Sequence, residues 1–178
     1  MSRSTTADTY NVGCGNESLY SLTTGAFNTA IGGKALYTST TADGNTAVGY
    51  NAANALTTGT GNVALGKAAA YGITTGSANT ALGVNTLYNN NAGSCTAVGY
   101  SALGWSSGAN NTAVGSNCSE NITTGAKNTA VGKSALATLT TGNENVAVGE
   151  SALLAATTGY NNVAVSYTHL TLPTTPYV

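Results

Sequence analysis

Short apolar runs, each closed by a glycine, recur along almost the whole chain. The glycines stand at Gly15, Gly32, Gly49, Gly66, Gly83, Gly99, Gly115, Gly132 and Gly149, with Ser166 in the tenth slot. The spacings between these ten slots are 17, 17, 17, 17, 16, 16, 17, 17 and 17 residues. The unit reads Thr-Thr-Gly-x-x-Asn-Thr-Ala-Val-Gly-x-x-Ala-Leu-x-x-x, as in Thr124, Gly125, Asn128, Thr129, Ala130, Val131, Gly132, Ala135 and Leu136. Seventeen residues with two glycine-marked corners are too few for a helix pair, and Asn-Thr-Ala-Val-Gly alternates as a strand does. The period predicts an all-β fold, a parallel β-solenoid of about ten coils of 17 residues over residues 11–164, after a lead-in at 1–10.

Alternation also divides the strand into two faces. The Thr and Val slots share one of them, as at Thr46 and Val48, Val63 and Leu65, or Val146 and Val148, and the intervening alanine takes the other. Ala30, Ala47, Ala64, Ala81, Ala97, Ala113, Ala130, Ala147 and Ala164 never vary, which predicts a place where another wall of backbone comes close. The Val/Ile/Leu slot tolerates changes of size and is read as core filling. Rungs stacked at strand spacing would make a rod ~45 Å long. Asn28, Asn45, Asn62, Asn79, Asn111, Asn128 and Asn145 are then expected to form a ladder, each side-chain amide donating to the next carbonyl up the axis. The recurrent glycines would supply corners of positive φ.

Composition sharpens this picture. Leu, Ile, Val and Phe contribute only 30 of 178 residues, so lengthwise hydrogen bonds must replace a large core. Only 6% of the chain is charged and the net charge is −1, too little basic surface to hold nucleic acid or an anionic membrane. A thin cross-section of Ala, Val and Thr makes a single solenoid marginal, so association of several copies is expected. Residues 1–10, MSRSTTADTY, hold no apolar run of signal-peptide type, and no later stretch is long enough for a membrane-spanning helix. Cys14, Cys95 and Cys118 fall in three different slots, without metal-ligand spacing, and read as small buried thiols standing in for Val, Asn and Ala.

The chemistry-bearing residues do not converge. Gly61 to Lys67 imitates a phosphate-binding loop but is followed by Ala68, and Lys127 to Ser134 has the serine without the first glycine. Glu17, Asp43, Glu120, Glu144 and Glu150 sit in different coils or slots, and the single histidine, His169, lies beyond the array. Paired acid/base or nucleophilic catalysis is therefore not expected, and neither a cofactor nor a metal is implied. The Asn-x-Ser/Thr sequons at Asn16, Asn110, Asn117 and Asn121 are what an Asn/Thr-rich repeat yields by chance. Tyr20, Tyr37, Tyr71 and Tyr88 recur five residues after their glycines, with Trp105 one step off register. They are candidate surface contacts for a sugar or receptor, although a packed aromatic ladder is the favoured reading.

The Asn-Thr-Ala-Val-Gly-x-x-Ala-Leu and Thr-Thr-Gly-x-x motifs resemble the head repeats of YadA-type trimeric adhesins and, more closely, the repeat arrays of phage tail fibres. The resemblance covers residues 11–165 and implies a left-handed parallel β-roll, three chains packed side by side, at a virion tail fibre or other extracellular surface. The implied partners are two further copies of the chain and a host-surface glycan or protein. A Thr-rich, nearly uncharged rod also suits an ice-binding solenoid, but adjacent threonines such as Thr40 and Thr41 would point to opposite faces. From Val165 the repeat gives way to a segment that reads as the conceptual translation of a sequencing adapter, residues 165–178. On that reading His169, Pro173 and Pro176 are not native, and the natural chain continues differently.

Overall fold

In the computed structural model, which describes residues 10–166, the chain winds into a parallel β-solenoid without helices. Twelve short strands follow in order: β1 (Val12–Cys14), β2 (Thr29–Ile31), β3 (Thr46–Val48), β4 (Val63–Leu65), β5 (Thr80–Leu82), β6 (Asn89–Asn90), β7 (Thr96–Val98), β8 (Trp105–Ser106), β9 (Thr112–Val114), β10 (Thr129–Val131), β11 (Val146–Val148) and β12 (Val163–Val165). Ten of them form one parallel sheet ordered β1-β2-β3-β4-β5-β7-β9-β10-β11-β12, while β6 and β8 pair separately. Each main-sheet strand pairs slot for slot with the next, as Thr46 with Val63, Ala47 with Ala64 and Val48 with Leu65. About nine turns of roughly 17 residues result. The register already holds at Tyr10, which stacks on Phe27 at 5.6 Å. It persists to Ser166, whose N–H donates to Val148 O at 2.7 Å.

The faces of the strand are assigned oppositely to the hydrophobicity expectation. The alanine column points into the solenoid, fully buried from Ala30 through Ala147. The Val/Ile/Leu column points outward: Ile31 is 42% exposed, Leu65 39% and Val131 39%. Coil walls this close leave room for a methyl group beside the strand and no more, so size, not hydrophobicity, selects the inward residue. Larger core side chains come from elsewhere in the coil. Leu36, Leu87, Leu103 and Leu136 enter from the Ala-Leu motif, and Leu56, Ile73, Ile122 and Leu139 from the position before Thr-Thr; all are fully buried. Cys14, in the outward column, is exposed, which corrects the reading of all three cysteines as buried; Cys95 and Cys118 are buried.

Positive φ is not confined to glycine. Gly66 has φ +136°, and a Cβ there would lie 2.5 Å from Gly83 O, so both conformation and space exclude a side chain. Yet Lys34 (φ 59°), Leu36 (φ 51°), Asn51 (φ 58°) and Ala53 (φ 49°) also adopt the left-handed region, and equivalent residues do so in the other coils. Each such residue costs ~1 kcal/mol or more and persists only where the surroundings compel it. Hydrogen bonds to the neighbouring coils do so here. Lys34 N–H donates back to Asn16 O (2.8 Å), and Leu36 N–H donates forward to Ala52 O (3.0 Å).

Candidate functional site

The asparagine column is buried and continuous over long runs. Asn62 Nδ2 donates to Asn45 Oδ1 at 3.0 Å and to Gly76 O at 2.9 Å, while its own Oδ1 accepts from the Asn79 backbone N–H at 3.0 Å and Asn79 Nδ2 at 3.1 Å. Asn28, Asn45, Asn128 and Asn145 repeat this arrangement. The side-chain bonds thus run to the preceding rung, opposite to the direction expected, and the forward bond goes to a backbone carbonyl. The structure adds Asn11 and Asn162 as its end members. Cys95 interrupts the ladder. Its N–H donates to Asn79 Oδ1 (2.9 Å), its Sγ lies 3.4 Å from Gly108 O, and Asn111 begins a new run by donating to Gly125 O at 2.7 Å. Burial raises the Cys95 thiol above its ordinary value, opposed in part by contacts with Asn111 and Asn90, and pushes Cys118 up to about 11.

Outside, the outward strand slots form a strip along the whole sheet. They hold Thr or Val at the first position and Val, Ile, Leu or Cys14 at the third, and no charged residue. The Thr-Thr corners are polar but partly self-satisfied: Thr23, Thr57 and Thr140 donate their hydroxyls to the following coil's Thr40 O, Thr74 O and Thr157 O at 2.8–3.0 Å.

The aromatic column is a ladder in two sections. Tyr20 stacks on Tyr37 at 5.2 Å and Tyr71 on Tyr88 at 5.0 Å, with Asn54 in the slot between. Lys34 Nζ lies 5.5 Å from the Tyr37 ring centre and 3.5 Å from Glu17 Oε2. The second section ends irregularly, where the two 16-residue spacings fall. Gly104 takes the slot after Tyr88, since the Asn89 N–H donates to Gly104 O, and Trp105 pairs with Asn89 instead of continuing the tyrosines. Trp105 is 52% exposed and tilted 54° against Tyr88 at 6.1 Å. A notch of ~160 Å³, lined by Asn85, Tyr88, Ser101, Gly104, Trp105 and Glu120, opens on one side of the indole. A shallower cleft beside Ser107 and Thr123 also borders Trp105. Among the described residues no three His, Cys, Asp or Glu side chains gather as metal ligands, and no helix is long and apolar enough to cross a membrane. No family model, no curated protein and no solved structure matches the chain.

Proposed function

We propose that the chain is the rod segment of a trimeric surface fibre, of the kind its repeats resemble in phage tail fibres and adhesin heads, serving as a stiff spacer that also presents contacts to a host surface. The observation that carries this reading is the uncharged Thr/Val strip facing outward on all ten rungs of the main sheet. A monomer rarely leaves so long an apolar strip to water. Burying the exposed remainder of each Val, Ile or Leu is worth a fraction of ~1.5–3 kcal/mol, repeated rung after rung. The resemblance supplies the number three, and an axis parallel to the rod keeps identical rungs level. Three copies displaying the same weak contacts gain avidity without a strong individual site.

Sedimentation of the full chain tests the reading. The expected species is a trimer, and a Val48→Lys/Val131→Lys double variant is expected to run as a monomer with an unchanged β spectrum, because both side chains point away from the interior. A folded wild-type monomer overturns the proposal. Thermal hysteresis in that same sample would favour the ice-binding alternative.

A further inference from the structure

The four described glutamates divide three to one: Glu17, Glu144 and Glu150 each meet a lysine ammonium of the neighbouring coil, at 3.5, 3.0 and 3.2 Å. Glu120 has no such partner among the described residues. It is held by Asn117, whose Nδ2 donates to Glu120 Oε2 at 2.8 Å, and it lines the Gly104 notch together with Tyr88 and Trp105. The first aromatic section contains a comparable group with its ammonium in place, although Glu17 stands two residues after its glycine and Glu120 five after its own. There a carboxylate, Glu17, and a ring, Tyr37, share one ammonium, that of Lys34. The second section has the carboxylate and two rings, and a glycine where the column elsewhere carries a side chain.

We propose that the Gly104 notch binds an alkylammonium group presented by another molecule, either a lysine side chain or a quaternary ammonium headgroup. The cation would lie against the negative faces of Tyr88 and Trp105, with Glu120 supplying the balancing charge. At ~160 Å³ the notch is smaller than the ~300–1,000 Å³ of pockets that engulf drug-sized ligands, and so suits a single head group. No basic residue lines it. Asn85 and Ser101 at the rim can bind water or a hydroxyl beside the cation. The inference does not rest on the trimer, because it uses residues of one chain.

Trp105 is the chain's only tryptophan, so its fluorescence reports the surroundings of this one indole, and Gly104→Tyr separates the notch from the shallower cleft that also borders it. The full-length protein is titrated with choline, with n-butylammonium as a lysine mimic, with 3,3-dimethylbutan-1-ol as the uncharged isostere of choline, and with methyl glucoside. A saturable change with either cation is expected, and the stronger of the two identifies the source of the ammonium. Glu120→Gln should weaken the cation at least ~5-fold. Gly104→Tyr should abolish the response by refilling the column. It should still fold, since Gly104 is not at positive φ and a Cβ there would lie at ordinary contact, 3.4 Å from Ser101 O and 3.6 Å from Glu120 Cγ. Equal responses to choline and its uncharged isostere, a stronger response to methyl glucoside, no response to either cation, or a cation response that survives Gly104→Tyr in a folded protein would each overturn the proposal.

Discussion

Cys14, Cys95 and Cys118 share a side chain and differ in everything that sets its reactivity. The thiolate is the attacking species, and a buried thiol with a raised pKa remains protonated near neutrality. Cys14 alone of the three is exposed. Iodoacetamide at neutral pH is therefore expected to modify one thiol in the native protein, mapped to Cys14 by mass, and all three after denaturation; rapid native labelling of Cys118 would contradict its placement. Cys118 also sets a pH dependence. Its thiol ionises at about 11 when folded against a reference of 9.0, so its contribution to stability is complete below pH 9 and is lost as pH rises through about 11, because the unfolded chain ionises first. Cys118→Ala supplies the control, since alanine occupies the same slot at Ala102 and Ala135. Urea midpoints should fall more steeply between pH 9 and 11 in the wild type than in this variant.

A coil is stabilised by what its neighbours satisfy, and the asparagine slot concentrates that dependence in one side chain. Asn62→Ala would remove the acceptor of the Asn79 N–H and the donor to Gly76 O. Each buried group so stranded costs roughly 1–3 kcal/mol, so a loss of several kcal/mol in chemical denaturation is expected. Cys95 escapes only the second of these losses, because its thiol still meets Gly108 O. The alanine slot fails in the opposite direction: Ala64→Leu overfills a closed wall and should destabilise by ~1–3 kcal/mol or more, whereas Val48→Thr, facing outward, should leave the isolated coil almost unchanged. These slots were legible in the sequence because each recurs at one position every 16 or 17 residues. The period fixed the strands and their register, but alternation reveals only that two faces exist, not which is inside, and the usual preference for Val over Ala in a core pointed the wrong way. The left-handed conformations at Lys34 and Leu36 left no trace in residue type, since hydrogen bonds to adjacent coils impose them. The Gly104 notch left a partial signal: two short spacings and one aromatic off register marked the coil, but not the missing side chain beside a carboxylate.

At the scale of the whole rod, the buried core lies within one chain, so on the proposed trimer assembly should depend on the outward strip while coil formation does not. Cys14 makes this testable without disturbing the fold, because it occupies the third slot of β1 in the same outward column as Ile31 and Val48. A three-fold axis along the rod would bring the three Cys14 side chains to one height near the seam, whereas the buried Cys95 and Cys118 would stay within their own chains. Mild oxidation should then link two chains of each trimer through Cys14 and leave the third reduced, visible as a covalent dimer on a non-reducing gel. Cys14→Ser should give none, and the Val48→Lys/Val131→Lys variant should lose the product at equal protein concentration, because its thiols meet only by diffusion. If sedimentation finds a trimer whose Cys14 does not cross-link, then the copies join along another side of the coil, and the Thr/Val strip remains free to meet a different partner.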